Sequence, residues 1–259
     1  MSTPTLSPPT MMASPPAGIR EVGFLRPFHW LAEGWRDLLA NPLPSLLYGA
    51  VVAVLGWLLL SLADIWPQFI MTAISGFFLL APLIAAGVYE LSRAREDGRR
   101  LGFSASLAGL RRNAGTIADF GVVLVLVTIA WERLAAILLA LSYGGEMGNA
   151  REFVREVFFS GQYTTVLLVW GVAGFVIASL VFAITAVGMP FVIDRNADVV
   201  TAMGTSLRAV FRNLPAMMVW AALIVLLTAA GMATAMIGLV LVMPLLGHAT
   251  WRAYKDIVE

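Results

Sequence analysis

Apolar residues in this chain come in runs far longer than the strands and half-exposed helices of a water-soluble core. A helix needs about 20 mostly apolar residues to cross ~30 Å of hydrocarbon. Runs of that length cover residues 44–62, 66–89, 120–143 and 163–193, and a last one, 214–251, is too long for a single crossing. Asp64 closes the first run and is placed to cap the second, with Pro67 in its first turn. Dividing the last run near Gly231 gives helices at about 215–230 and 232–250. The pattern therefore predicts an all-α polytopic membrane protein with six transmembrane helices in three hairpins.

A second rhythm precedes each hairpin. Phe28, Leu31, Trp35, Leu38 and Leu39 recur at helical spacing, with Glu33, Arg36 and Asp37 off that stripe. Val200, Met203, Leu207, Val210 and Phe211 repeat it before the third hairpin, and Phe103, Leu107 and Leu110 form a shorter version before the second. Such amphipathic helices are expected to lie in the membrane interface. Arg36 stands five residues before Asn41 and Arg208 five before Asn213, each followed by proline within three residues. The even-numbered spans share a proline near one end, Pro82, Pro190 and Pro244. Each is expected to bend its helix where a neighbour can satisfy the freed carbonyl. These recurrences suggest three quasi-equivalent units, the second enlarged by an outer loop at 144–162 that contains a short apolar face of Phe153, Val154, Val157 and Phe158.

Composition agrees with the pattern. The 259 residues are 59% hydrophobic and 13% charged, with a mean hydropathy of +0.84. A soluble domain carries about 25% charged residues. The net charge of +1 argues against a nucleic-acid partner, and the lack of cysteine removes disulfides and thiolate metal sites. Fourteen Lys and Arg fall in the segments before span one, between spans two and three, between four and five, and after six; Arg151 and Arg155 alone fall on the other side. The positive-inside rule then places both termini in the cytoplasm of a bacterial inner membrane. Residues 1–19, rich in proline and uncharged over 2–18, are expected to form a disordered cytoplasmic tail, and 20–259 a single membrane domain.

Chemistry-bearing residues are few. Glu132 lies twelve residues past Phe120, ~18 Å into the membrane at helical rise, with Arg133 about 100° around the helix. A charge at that depth is costly and faces the bundle interior. Glu132 is either neutral or bonded to a group such as Thr128, with Arg133 snorkelling outward, or it serves as a proton or cation site. His29 and His248 both fall at the membrane boundary, as interfacial hydrogen-bonding groups or as a weak ligand pair. No metal set, cofactor motif, nucleophile elbow or phosphate loop is present, so no enzyme is expected. Arg93, Arg95, Arg99, Arg100, Arg111 and Arg112 would attract anionic lipid headgroups. Gly171–Gly174 and the Gly231/Ala235/Gly238 spacing read as close helix packing.

The segments 30–38, 45–49, 81–93, 189–195, 198–203 and 244–251, the last reading Pro-Leu-Leu-Gly-His-Ala-Thr-Trp, resemble a bacterial family of predicted integral membrane proteins, domain of unknown function 2189. The resemblance spans about 28–257, and the closing segment is its most specific part; many members have His where this chain has Arg252. It implies a six-helix inner-membrane protein without an established activity. Some members are catalogued near respiratory oxidase subunits, and the architecture is loosely similar to the non-catalytic membrane domains of some glycerophosphodiester phosphodiesterases. The reading that results is a non-enzymatic accessory, scaffold or lipid-interacting membrane subunit, its partners membrane lipids and a membrane protein or a second copy. The alternative is a small secondary transporter using Glu132.

Overall fold

A single apolar segment satisfies its own backbone in lipid by coiling into a helix, and the regular elements among the described residues are helices. The computed structural model describes residues 18–65, 84–142, 155 and 159–259. Its elements are α1 (Arg26–Ala40), α2 (Pro42–Ile65), α3 (84–96), α4 (Phe103–Gly109) running through a 3₁₀ turn (Leu110–Asn113) into α5 (Ala114–Ser142), then α6 (Thr164–Thr185), α7 (Gly188–Arg195), α8 (Val199–Arg212), α9 (Leu214–Ala233) and α10 (Leu239–Ile257). Among the described residues, four stretches have the length and apolarity to cross a membrane: Pro42–Leu59, Phe103–Leu138, Thr164–Arg195 and Leu214–Ala233. Most of the expected second crossing, with Pro82, lies outside the described residues, as does most of the loop 144–162. α10 carries Arg252, Lys255 and Asp256 near its end, which shortens its apolar length.

The expected break near Gly231 falls slightly later. Thr234 ends α9, and Ala235 and Met236 take left-handed backbone angles, φ 51° and 68°. The Thr234 hydroxyl donates to Gly231 O at 2.8 Å and accepts from Gly238 N at 2.7 Å. A Cβ on Gly238 would come within 2.9 Å of Gly231 Cα. The small residues at this spacing thus close the reversal itself. Of the other small pair, a Cβ on Gly174 would meet the Trp131 ring at 3.0 Å, and one on Gly171 would meet nothing within 4 Å.

The amphipathic helices α1 and α8 present two different faces. α1 buries Pro27, Trp30, Gly34, Asp37 and Leu38, and leaves Phe28, Trp35 and Leu39 outward. α8 buries Ala202, Thr205, Ser206, Ala209 and Val210, and leaves Val200 and Phe211 outward. Asp198 caps α8, accepting from Thr201 N at 2.9 Å. Ser206 does more: its hydroxyl donates to Ala183 O at 2.7 Å and accepts from Val187 N at 3.1 Å. It therefore occupies the rung that would have joined those two residues, and separates α6 from α7. Pro190 sits in the first turn of α7, where its missing N–H costs nothing, while Pro244 lies inside α10.

Most of the fully buried large side chains gather at the end of the bundle where Ile19 pairs with Val258. Trp30 and Trp220 meet edge to face at 5.9 Å, and Trp251 and Tyr254 at 5.5 Å. α5 and α6, joined by a Trp131–Trp170 contact at 5.3 Å, are only 6% and 11% buried over their apolar windows, against 33% for α2. α10 is the element on which α1 and α2 pack. A Cβ on Gly34 would lie 2.6 Å from Ala249 N, and one on Gly49 would lie 2.0 Å from Val240 O. Both obstacles are backbone, which cannot yield as a side chain can. Gly49→Ala should therefore destabilise the protein by about 1–3 kcal/mol through overpacking, while Gly171→Ala should leave it unchanged. Thermal unfolding of both variants in the same detergent checks this; equal melting temperatures would refute the contact.

Candidate functional site

Where α2, α3 and α10 converge, three polar side chains meet out of water. His248 is 1% exposed, with Ser45 Oγ 2.9 Å from Nε2 and Ser92 Oγ 2.6 Å from Nδ1. Ser45 donates its own proton one turn back, to Asn41 O at 2.8 Å. The Nε2–H must then donate to Ser45, and Nδ1 accepts from Ser92. This pattern assigns the neutral Nε2-protonated tautomer. Both ring nitrogens are spent, so neither is open to a ligand. His29 is exposed on α1 and shares no partner with His248. Among the described residues no group of three or more potential ligands could hold a metal ion.

One turn further along α10, Arg252 grips the buried Asp37 of α1 with two bonds, Nε to Oδ2 and Nη2 to Oδ1, both at 2.7 Å. Arg95 of α3 reaches the same carboxylate. Arg252 Nη1 and Trp251 Nε1 also meet Glu96 Oε1, at 3.2 and 3.0 Å. Tyr254 donates to Asp194 at 2.6 Å, and Lys255 spans Asp194 and Glu96. An imidazole at position 252 could not make the two-pronged contact that the planar guanidinium makes.

A second buried carboxylate, Glu90, accepts from Arg93 and Arg112. A third cluster joins the chain ends. Ile19 and Val258 form an antiparallel bridge, Arg20 N donates to Ile257 O at 2.8 Å, and Glu259 N donates to Gly18 O at 3.0 Å. Asn213 clasps the same strand, its Nδ2 donating to Arg20 O and its Oδ1 accepting from Val22 N. Asp256 accepts from Arg20, Arg26 and Trp30. Of the expected tail 1–19, residues 1–17 lie outside the described residues; Gly18 and Ile19 belong to this clasp.

The expected residues thus scatter. Arg93, Arg95 and Arg112 hold buried carboxylates, Arg99 pairs with Asp97, and Arg100 and Arg111 are exposed without an ion pair among the described residues. Glu132 lies apart from them on α5, with its Oε1 buried and unpartnered. Thr128 does not reach it, because its hydroxyl donates to Leu124 O at 2.9 Å. Arg133 is exposed. A depression on α6 lined by Leu168, Val169, Val172 and Ala173 offers no polar group. Asp37, Glu90, Ser45, Ser92 and Asp256 were not singled out by the sequence. Asp37 carried a signal: it lies three and seven residues from Gly34 and Trp30, on the small-residue side of α1 rather than on its apolar stripe.

Two outcomes are expected. Asp37→Asn leaves Arg95 and Arg252 facing an uncharged group in a buried site and should cost ~3–5 kcal/mol, read by thermal unfolding against an exposed Arg100→Gln control. The second concerns Asp256. Burial alone would raise its carboxyl, but hydrogen bonds from Arg26 and Trp30 outweigh it and hold it below the usual carboxylate range. A carboxyl lowered on folding stabilises fully above its unfolded value, about 3.9, and loses that contribution as pH falls through its folded value. Asp256→Asn should thus loosen the clasp at pH 7, seen as faster proteolysis near residues 18–25, and the difference from wild type should narrow as the pH is lowered below the usual carboxylate range.

A family model described as predicted integral membrane protein, domain of unknown function 2189, matches residues 70–194. No curated protein and no solved structure matches the chain.

Proposed function

From the match of residues 70–194 to a family of predicted integral membrane proteins, we propose that this chain is a six-span inner-membrane protein with both termini cytoplasmic. We propose further that it works without catalysis, as an accessory or scaffold subunit that packs against lipid and a membrane partner. The observation that carries this is the outward apolar face of α1 and α8, Phe28, Trp35 and Leu39 on one and Val200 and Phe211 on the other, at the end where the charges collect. The buried carboxylates Asp37 and Glu90 there are each held by two arginines. The family description and the paired chain ends are consistent with this topology.

Three quasi-equivalent units are part of the proposal. Asn41, Asn113 and Asn213 each stand at the joint between a surface helix and the span after it. Seven residues earlier come Gly34, Ser106 and Ser206, and seven later Tyr48, Phe120 and Trp220, all of them buried. α1 lies on α10, the α4 segment reaches α3 through Gly109 and Arg112, and α8 lies on α6 through Ser206. Each surface helix therefore rests on a helix of the unit before it, in a cycle.

Native mass spectrometry after extraction in a mild detergent tests the reading. A reproducible added mass from another subunit or from lipid is expected; a chain that retains neither overturns it. The unpartnered Glu132 oxygen supports a second reading, a secondary transporter with that carboxyl as its proton or cation site. Under it, proteoliposomes should move protons with substrate and Glu132→Gln should abolish the movement. Under the first reading the same substitution is mild.

A further inference from the structure

Glu90 is 2% exposed on α3, and its two oxygens are saturated. Arg93 donates through Nε at 3.0 Å and Nη2 at 2.9 Å, and Arg112 donates Nη2 to both oxygens, at 3.2 and 3.0 Å. The backbone of α4 closes over the carboxylate, since a Cβ on Gly109 would lie 2.6 Å from Oε1. One carboxylate cannot neutralise two guanidiniums, so the group keeps a surplus positive charge. It also keeps unused donors: Nε and Nη1 of Arg112, and Nη1 of Arg93, which lies 3.8 Å from an Asp97 that Arg99 already holds at 2.9 Å. The Arg112 side chain is 46% exposed and the Arg93 side chain 18%. Arg111, next in the chain, is exposed and unpaired among the described residues, and the buried Nδ2 of Asn113 has no partner.

We propose that Arg93 and Arg112, splayed over Glu90, together with the neighbouring Arg111, bind the phosphate of an anionic membrane lipid, with Glu90 as the positioning residue of Arg93 and Arg112. This deepens the lipid-contact reading above and rests on it. A lipid fits better than a soluble anion because the 3₁₀ turn bearing Arg111 and Arg112 leads straight into α5. The outward side of α5 continues with Val122, Leu126 and Ile129, all exposed. A headgroup held at the arginines would lay its acyl chains along that apolar surface.

The test uses the full-length protein in mild detergent, titrated under native mass spectrometry with phosphatidylglycerol and with phosphatidylcholine of identical chains. Inorganic phosphate serves as competitor. Phosphatidylglycerol should bind in preference, phosphate should not displace it, and Arg111→Gln with Arg112→Gln should weaken it by about fivefold for each arginine removed. Arg111→Gln alone keeps the fold, since that side chain has no ion pair to lose. Glu90→Gln separates positioning from simple attraction. Removing a negative charge would tighten anion binding if only net charge mattered, whereas loss of the splayed geometry weakens it. Equal binding of the two lipids, a preference that survives the arginine substitutions, or full displacement by inorganic phosphate would each overturn the site. If that happens while a partner subunit is still retained, the accessory reading stands; if no partner and no lipid is retained, both fall.

Discussion

The contact between the backbones of α10 and of α1 and α2 sets the position of almost everything else. Gly34 lies against Ala249 and Gly49 against Val240, closer than any side chain would permit. That approach brings Asp37 beneath Arg252, and Ser45 beside His248. Move α1 outward by the width of a methyl group and the two-pronged arginine contact is lost, leaving a carboxylate with no water and a weaker partner. The small residues and the buried charges are therefore one device: the first allows the distance, the second exploits it.

The location of the core follows from the solvent. Lipid tails are as apolar as leucine, so burying leucine between helices in mid-membrane gains little, and association depends on packing and polar contacts. Water is available only at the ends, and there the hydrophobic effect operates as in a soluble protein. Trp30, Trp220, Trp251 and Tyr254 accordingly cluster at the end where Ile19 pairs with Val258, while α5 and α6 remain largely uncovered along their lengths. The same logic explains Ser206. Its hydroxyl can enter the gap between α6 and α7 because the two backbone groups there have no water to turn to.

The charged network works as a latch between distant parts of the chain. Asp37, Glu90 and Asp256 each draw two or more donors from different parts of the chain, and the clasp at Ile19 and Val258 ties the first described residues to the last. Such a network specifies one arrangement of helices whose apolar surfaces alone would slide. It also leaves the outward faces of α1 and α8, and the arginines over Glu90, as the surfaces that meet the surroundings. The proposed role in lipid and partner contact draws on those surfaces.

Much of the helix inventory was legible in the sequence because the bilayer demands long apolar runs: over their described residues, 44–62, 120–143, 163–193 and the divided last run fall almost wholly on observed helices. The stripes of Phe28 to Leu39 and Val200 to Phe211 were equally legible, since an amphipathic helix writes its period into its residues. The site was not. Asp37 stood only as a residue off the apolar stripe, Glu90 was not singled out, and Arg93, Arg95 and Arg112 read as headgroup ligands. Their pairing depends on which helices touch across 58 residues for Arg95 and 215 for Arg252. His248 looked like an interfacial group until Ser45 and Ser92 were brought to its two nitrogens from helices 203 and 156 residues away. Local pattern determines how each segment coils, because that is decided between near neighbours and the solvent. Which carboxylate receives which guanidinium is decided only when the helices close, because the energy of a buried charge depends on every group packed around it.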